Sequence, residues 1–154
     1  MKIKNIKVNR IKAPQEDNAR PFVGRPGQLV LQVETEEGVT GIAEAGRNLK
    51  VTQAYLDELI NPLLKGLDPT RPRQIWEMLT LGHGQYATKF PSQIVGAIDV
   101  ALWDISGKSA NLPIYQLLGG AARTEIPLYW SRGNGWNKTP EEMLEEVQEG
   151  YDKG

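Results

Sequence analysis

Residues 92–120, SQIVGAIDVALWDISGKSANLPIYQLLGG, decide how the rest of the chain is read. Ile94, Ile98, Ala101, Leu102 and Ile105 recur at steps of three and four, so they share one face of a helix and need a surface to pack on. Asp104 precedes Lys108 by four residues, the stabilising order for a helical ion pair. Gly96 and Gly107 each cost about 1 kcal/mol in a helix interior, and close approach of another element is the expected reason for both. Asn111 suits the left-handed residue that ends a helix. Pro113 can then open a second, short helix that Gly119 and Gly120 stop.

The surface for that helix is read upstream. Ile3, Ile6, Val8 and Ile11 are β-branched residues set among Lys and Arg, which suits a strand with one wet face, and their alternation slips, which predicts a bulge. Residues 13–27, APQEDNARPFVGRPG, have the chemistry of a loop. From Gln28 onward Leu29, Leu31, Val33 and Thr35 fall on one side of a second strand, Gly38 closes a turn, and residues 39–45 run back as a third. After a short loop at 46–50, Tyr55, Leu56, Leu59, Ile60 and Leu63 form a helical stripe that Pro62 limits or bends. Asp68, Pro69 and Thr70 make a turn, and Ile75, Trp76 and Leu79 mark the next helix. Strands followed by a helical cluster make an α+β domain with an antiparallel sheet.

Beyond Gly120, Ile126, Leu128 and Trp130 alternate as a short strand, and a Gly-rich loop follows at 131–137. Thr139, Pro140 and Glu142 then supply the N-cap, first-turn proline and third-position acid of a capping box, with Leu144, Val147 and Tyr151 on one face of the helix they open. This is one β/α unit.

Composition narrows the function classes. The chain has 154 residues and a formal net charge of −1, with no basic stripe to recruit nucleic acid or an anionic membrane. It has no cysteine, which excludes a disulfide framework and any thiolate metal or redox site. The N-terminal MKIKNIKVNRIK alternates charge with isolated apolar residues, so it reads as neither a signal peptide nor a membrane span. A soluble, cytoplasmic protein is expected.

The succession A-I-D-x-A-L-W-D-x-x-G-K-x-x-x-x-P-x-x-x-L-L-G-G over 97–120, with T-E-E-G-V-T-G-I-A-E over 35–44, resembles the mandelate racemase and muconate lactonising group of the enolase superfamily, and most of all its acid-sugar dehydratases. The resemblance implies an enolase-like N-terminal capping domain over 1–123 and, over 124–154, the first β/α unit of a TIM-type barrel that the chain does not complete. It implies a chemistry in which a base removes the proton α to a carboxylate and magnesium stabilises the enediolate. In such enzymes the proton-transfer lysines and the magnesium-holding acids come from later barrel strands, so no catalytic residue, no metal ligand and no cofactor is carried onto this chain; magnesium is expected for the complete enzyme. The implied partner is a small carboxylate, an acid sugar. Racemase, epimerase and cycloisomerase chemistry of the same superfamily are the alternatives, as is a non-catalytic interaction module, and the uncovered β/α unit favours self-association.

The resembled enzymes close the barrel mouth with two loops of the N-terminal domain, which here are 13–27 and 46–50. These carry Arg20, Arg25 and Arg47, whose guanidinium groups suit carboxylate or polyhydroxyl ligands, and Phe22 as an apolar wall. Ser131 and Arg132, at the end of the first barrel strand, complete the candidate substrate-binding set. Ordinary surface arginines are the competing reading. Asp99 and Asp104 do not converge as a catalytic pair, because five helical residues turn them by roughly 140°. Glu141, Glu142, Glu145 and Glu146 are explained by the helix dipole and solvation rather than by a metal. His83 is the only histidine and has no partner for a zinc site.

Overall fold

The alternation of Leu29, Leu31, Val33 and Thr35 becomes the spine of the sheet. All four are buried along β2 (Gln28–Thr35) while the residues between them face outward, as a two-residue side-chain period requires. β1 (Ile3–Ile11) and β3 (Thr40–Ala45) flank it in an antiparallel sheet of order β1-β2-β3. The computed structural model describes residues 1–11, 28–46, 48–81, 90–128 and 138–153, in two units, Met1–Gly120 and Ala121–Gly154.

In β1 the register shifts between Ile3 and Asn5, where the alternation slips in the sequence. The bulge lets Ile3 and Ile6, three residues apart, both enter the core. The β2–β3 hairpin turns at Gly38, whose φ of +87° suits glycine. Thr35 locks that turn, its Oγ1 accepting the N–H of Val39 at 3.0 Å and donating to the Val39 carbonyl at 2.9 Å.

The long helix α4 (Ser92–Ala110; α1 to α3 are described below) lies on this sheet. It buries Ile94, Ile98, Ala101, Leu102 and Ile105, the face marked by its periodicity. On β3 it meets Gly41, Ala43 and Ala45, and the approach is close: a Cβ added to Gly41 would lie 2.0 Å from the carbonyl oxygen of Ala101. The Asp104–Lys108 pair forms at 2.6 Å and also serves the edge of β3. Asp104 Oδ2 accepts the N–H of Ile42 at 2.9 Å, and Lys108 Nζ donates to the Thr40 carbonyl at 2.7 Å. The β1 edge is covered in the same manner. Asn61 accepts the N–H of Ile6 at 2.7 Å and donates to its carbonyl at 2.8 Å, while Ile3 exchanges backbone bonds with Gly66 and Leu67. Edge groups otherwise open to strand pairing are thus occupied within the chain.

Between β3 and α4 run α1 (Leu49–Tyr55), a π-helical segment (Leu56–Ile60), α2 (Asn61–Leu64) and α3 (Pro72–Thr80). The stripe expected here is corrected. Leu56 and Ile60 are buried, but their inward companions are Thr52 and Leu64, and Leu59 and Leu63 are exposed. The cause is the π-helical segment, in which the N–H of Asn61 reaches back five residues to the Leu56 carbonyl. Lengthening the turn keeps residues four apart in line, so 52, 56, 60 and 64 share the inner face. The run also continues through Pro62, at the start of α2. The helix begins at Leu49, inside the expected 46–50 loop. In α3, Ile75 and Leu79 are buried as the stripe requires, whereas Trp76 is exposed.

Asn111 ends α4 in the left-handed conformation, φ 54° and ψ 40°, and α5 (Ile114–Leu117) follows directly after Pro113. Gly107 fulfils the expectation of close approach, since a Cβ there would lie 2.8 Å from the Leu112 carbonyl oxygen as the chain folds back. Gly96 does not, because nothing among the described residues comes within 4 Å of its Cβ position.

In the second unit α6 (Pro140–Asp152) opens with the expected capping box: Thr139 Oγ1 accepts the N–H of Glu142 at 3.3 Å and Glu142 accepts the N–H of Thr139 at 2.9 Å. The strand expected at Ile126 and Leu128 is corrected. Residues 126–128 pair with no strand, and the two side chains are 72% and 95% exposed. Alternation alone does not make a strand where no neighbour supplies the hydrogen bonds. Trp130 lies outside the described residues.

Candidate functional site

The six candidate substrate-binding residues, Arg20, Phe22, Arg25, Arg47, Ser131 and Arg132, all lie outside the described residues, as does His83. The described residues form the frame that carries them. Ile11, the last residue of β1, pairs with Gln28, the first of β2, and the next residue, Leu29, pairs with Ala45, the last of β3. The roots of the two candidate loops therefore stand side by side at one end of the sheet. Gly46 extends that end towards α4, since a Cβ there would lie 2.9 Å from Gln93 Oε1. The start of α4, just after the stretch holding His83, thus adjoins the same corner.

On the far side of residue 47, Asn48 caps α1, its Oδ1 accepting the N–H of Val51 at 3.2 Å. Arg47 is flanked in sequence by a strand end and a helix cap. Short connections rooted in regular elements are the usual carriers of binding groups. The part played by Gln93 had no signal in the sequence, because a polar residue in a first helical turn is ordinary until the fold sets Gly46 beside it.

Three described carboxyls are held by structural partners. Lys7 beside Glu34 holds that carboxyl below the usual carboxylate range, the N–H of Lys2 does so for Glu37, and Thr70 for Asp68. Asp99 shifts the other way, for burial pushes its pKa up. A surface cleft of about 320 Å³ at the C-terminal end of α4 includes Asp104, Lys108 and Asn111, but its cation is committed to Asp104 and to the Thr40 carbonyl. Among the described residues no three His, Cys, Asp or Glu side chains gather as metal ligands, so no chemical step through magnesium is assigned to them. Among the same residues, no helix is long and apolar enough to cross a membrane.

Three strands, the helical run and the α4–α5 succession coincide with a known domain. A family model described as the mandelate racemase / muconate lactonizing enzyme N-terminal domain matches residues 6–119. The chain belongs to this family. Its similar curated proteins include a D-galactonate dehydratase family member from Halomonas elongata, 39% identical over 88% of this chain and 35% of its own. A D-mannonate dehydratase from Novosphingobium aromaticivorans is 38% identical over 86% of this chain and 34% of its own. The chain thus spans about a third of the length of these curated relatives. Among solved structures, a member of the enolase superfamily from Polaromonas superposes with a TM-score of 0.71 at 28% identity, covering 100% of this chain and 42% of that one. An enolase of the mandelate racemase subgroup from Agrobacterium tumefaciens gives 0.62 at 33% identity, covering 82% and 32%. The family domain is the α+β fold expected from the sequence, sheet first and helices after.

Proposed function

We propose that this chain is the substrate-specificity portion of a magnesium-dependent acid-sugar dehydratase, with residues 1–123 as its capping domain and 124–154 opening its barrel. The observation that carries the reading is the repeated likeness to D-galactonate and D-mannonate dehydratases, at 38–39% identity over most of the chain. In this reading the reaction starts with removal of the proton α to a carboxylate, by a base outside this chain. The contribution of the chain itself is to cover the substrate, exclude water and replace that water with directed donors. The reading takes Arg20, Arg25 and Arg47 as those donors, Phe22 as an apolar wall, and Ser131 and Arg132 as further substrate-binding residues. The shared corner of the two loop roots supports a joint action on one ligand.

The test joins the chain in frame to the part of the Novosphingobium dehydratase that lies beyond the match. Dehydration of a hexonic acid, with loss of activity on chelation, is the expected result. Arg47→Ala is expected to lower kcat/KM by about tenfold or more, the loss of one charge-assisted hydrogen bond. A folded fusion that dehydrates no hexonic acid overturns the reading. The likeness to the mandelate racemase subgroup supports a second reading, isomerisation, which the same assay recognises by exchange of the α-proton without loss of water.

A further inference from the structure

The end of the sheet that gathers the two loop roots also carries the side chain of Gln93, which lies along Gly46. Its Oε1 is the atom nearest to the place a Cβ on Gly46 would take, at 2.9 Å, with its own Cβ and Cδ at 3.9 Å. The amide therefore sets its oxygen against the end of β3 and its NH2 group farther off. In that direction only a glycine presents a Cα hydrogen, so backbone and oxygen meet in a weak Cα–H···O contact. Gly46 thus differs from Gly41 and Gly107. Those two face backbone oxygens at 2.0 and 2.8 Å, which only a shift of main chain relieves. Gly46 faces the free end of a flexible side chain, which a substitution simply displaces, so what this glycine preserves is the setting of the carboxamide. The backbone beneath Gln93 is fixed. The N–H groups of Ile94 and Val95 both reach the Pro91 carbonyl, at 2.9 and 3.1 Å, and both side chains are buried. A polar group on an anchored helical turn is placed more precisely than one on a loop. Gln93 itself is exposed, and the first turn of α4 holds no acid to take its amide hydrogens.

We propose that Gln93 is a substrate-recognition residue whose Nε2 donates a hydrogen bond to a hydroxyl of the acid sugar, and that Gly46 holds the carboxamide in place for it. A carboxamide is neutral and offers two N–H donors, which suits a hydroxyl, whereas the carboxylate of the same substrate calls for a charged donor. The inference rests on the proposed function for the class of substrate and adds to it a contact from the helix side of the corner.

The test uses the fusion to the Novosphingobium dehydratase with D-mannonate and D-galactonate, reading kcat/KM where the acid is turned over and a calorimetric Kd where it is only bound. Gln93→Ala is expected to weaken the recognised acid by about three- to tenfold, the worth of one hydrogen bond between neutral groups, without lowering the melting temperature. Gly46→Ala is expected to produce the same loss, and the double variant no more than either alone, because both remove one contact. Hexonates lacking one hydroxyl beyond the α and β carbons identify the acceptor. One of them is expected to be weaker than the parent acid by about three- to tenfold, and to lose nothing further with Gln93→Ala, a pattern that a merely structural role does not produce. An unchanged value in Gln93→Ala, additive losses in the double variant, or equal Gln93→Ala losses on every deoxy acid overturns the proposal and leaves the dehydratase reading intact. Binding that depends on Gln93 without turnover keeps the contact and removes the dehydratase reading. A folded fusion that neither binds nor dehydrates a hexonate overturns both.

Discussion

α4 and α6 are opposite cases of helix specification. α4 has no side-chain N-cap hydrogen bond, yet eight of its residues are buried and the sheet folds around it. α6 has a complete capping box and a proline in its first turn, yet Leu144, Val147 and Tyr151 on its apolar face are 70%, 61% and 82% exposed. A cap satisfies local backbone groups and sets where a helix begins. Only burial of a face makes the helix part of a cooperative unit. The first unit has that burial, and the second has well-formed local structure without it.

The comparison is broken most strongly by truncating matched leucines. Leu102 is fully buried, so Leu102→Ala is expected to cost about 2–5 kcal/mol in urea unfolding of the first unit. Leu144→Ala is expected to change stability by less than about 0.5 kcal/mol. Equal effects would mean that α6 is covered in solution.

Glycines sharpen the contrast within the first unit. Gly41→Ala puts a methyl into the Ala101 carbonyl and is expected to cost about 1–3 kcal/mol or more, because backbone must move. Gly96→Ala meets open space and is expected to stabilise the isolated chain by up to about 1 kcal/mol. Thermal unfolding followed by circular dichroism distinguishes the two signs.

A smaller effect is expected at the cap of α6. Thr139→Ala removes one side of the capping box, worth about 1 kcal/mol to the helix, and should speed amide exchange across α6 while the exchange of α4 stays unchanged. Coupled changes in both helices would show that the units unfold together.

The smallest effect is electrostatic. Asp99 has its pKa raised by burial, so the folded state holds the proton more tightly than the unfolded one. Its contribution to stability is present at low pH and lost as pH rises from the unfolded to the raised folded value. Glu34, with its pKa lowered chiefly by the hydrogen bond from Lys7, acts in the opposite sense, losing its contribution as pH falls through the lowered folded value. Asp99→Asn is therefore expected to give a small gain at neutral pH that vanishes in acid, read from urea midpoints across the range. A gain that persists below the carboxylate range would assign the effect to packing instead of charge.

The sequence by itself determined what depends on neighbours within a turn or a strand. The two-residue period of Leu29 to Thr35, the punctuation by Asn111, Pro113, Gly119 and Gly120, the Asp104–Lys108 pair and the Thr139 capping box were all legible, because each rests on local dihedral angles and spacing. The candidate site was legible only as residue types in loops, with Arg20, Arg25 and Arg47 named for their chemistry. Tertiary structure decided that the roots of those loops share one end of the sheet, since strand register is a relation between distant segments. It also decided which side of residues 49–64 is buried, because a π-helical segment changes the angular period on which the stripe was read. The same holds for Asp104 and Lys108 on the edge of β3, for Gly107 packed where Gly96 is open, and for the missing strand at 126–128. For the strand register and for Asp104 and Lys108 on β3 the partner lies far away in the chain, and a contact formed only on folding has no periodic trace in the order of the residues.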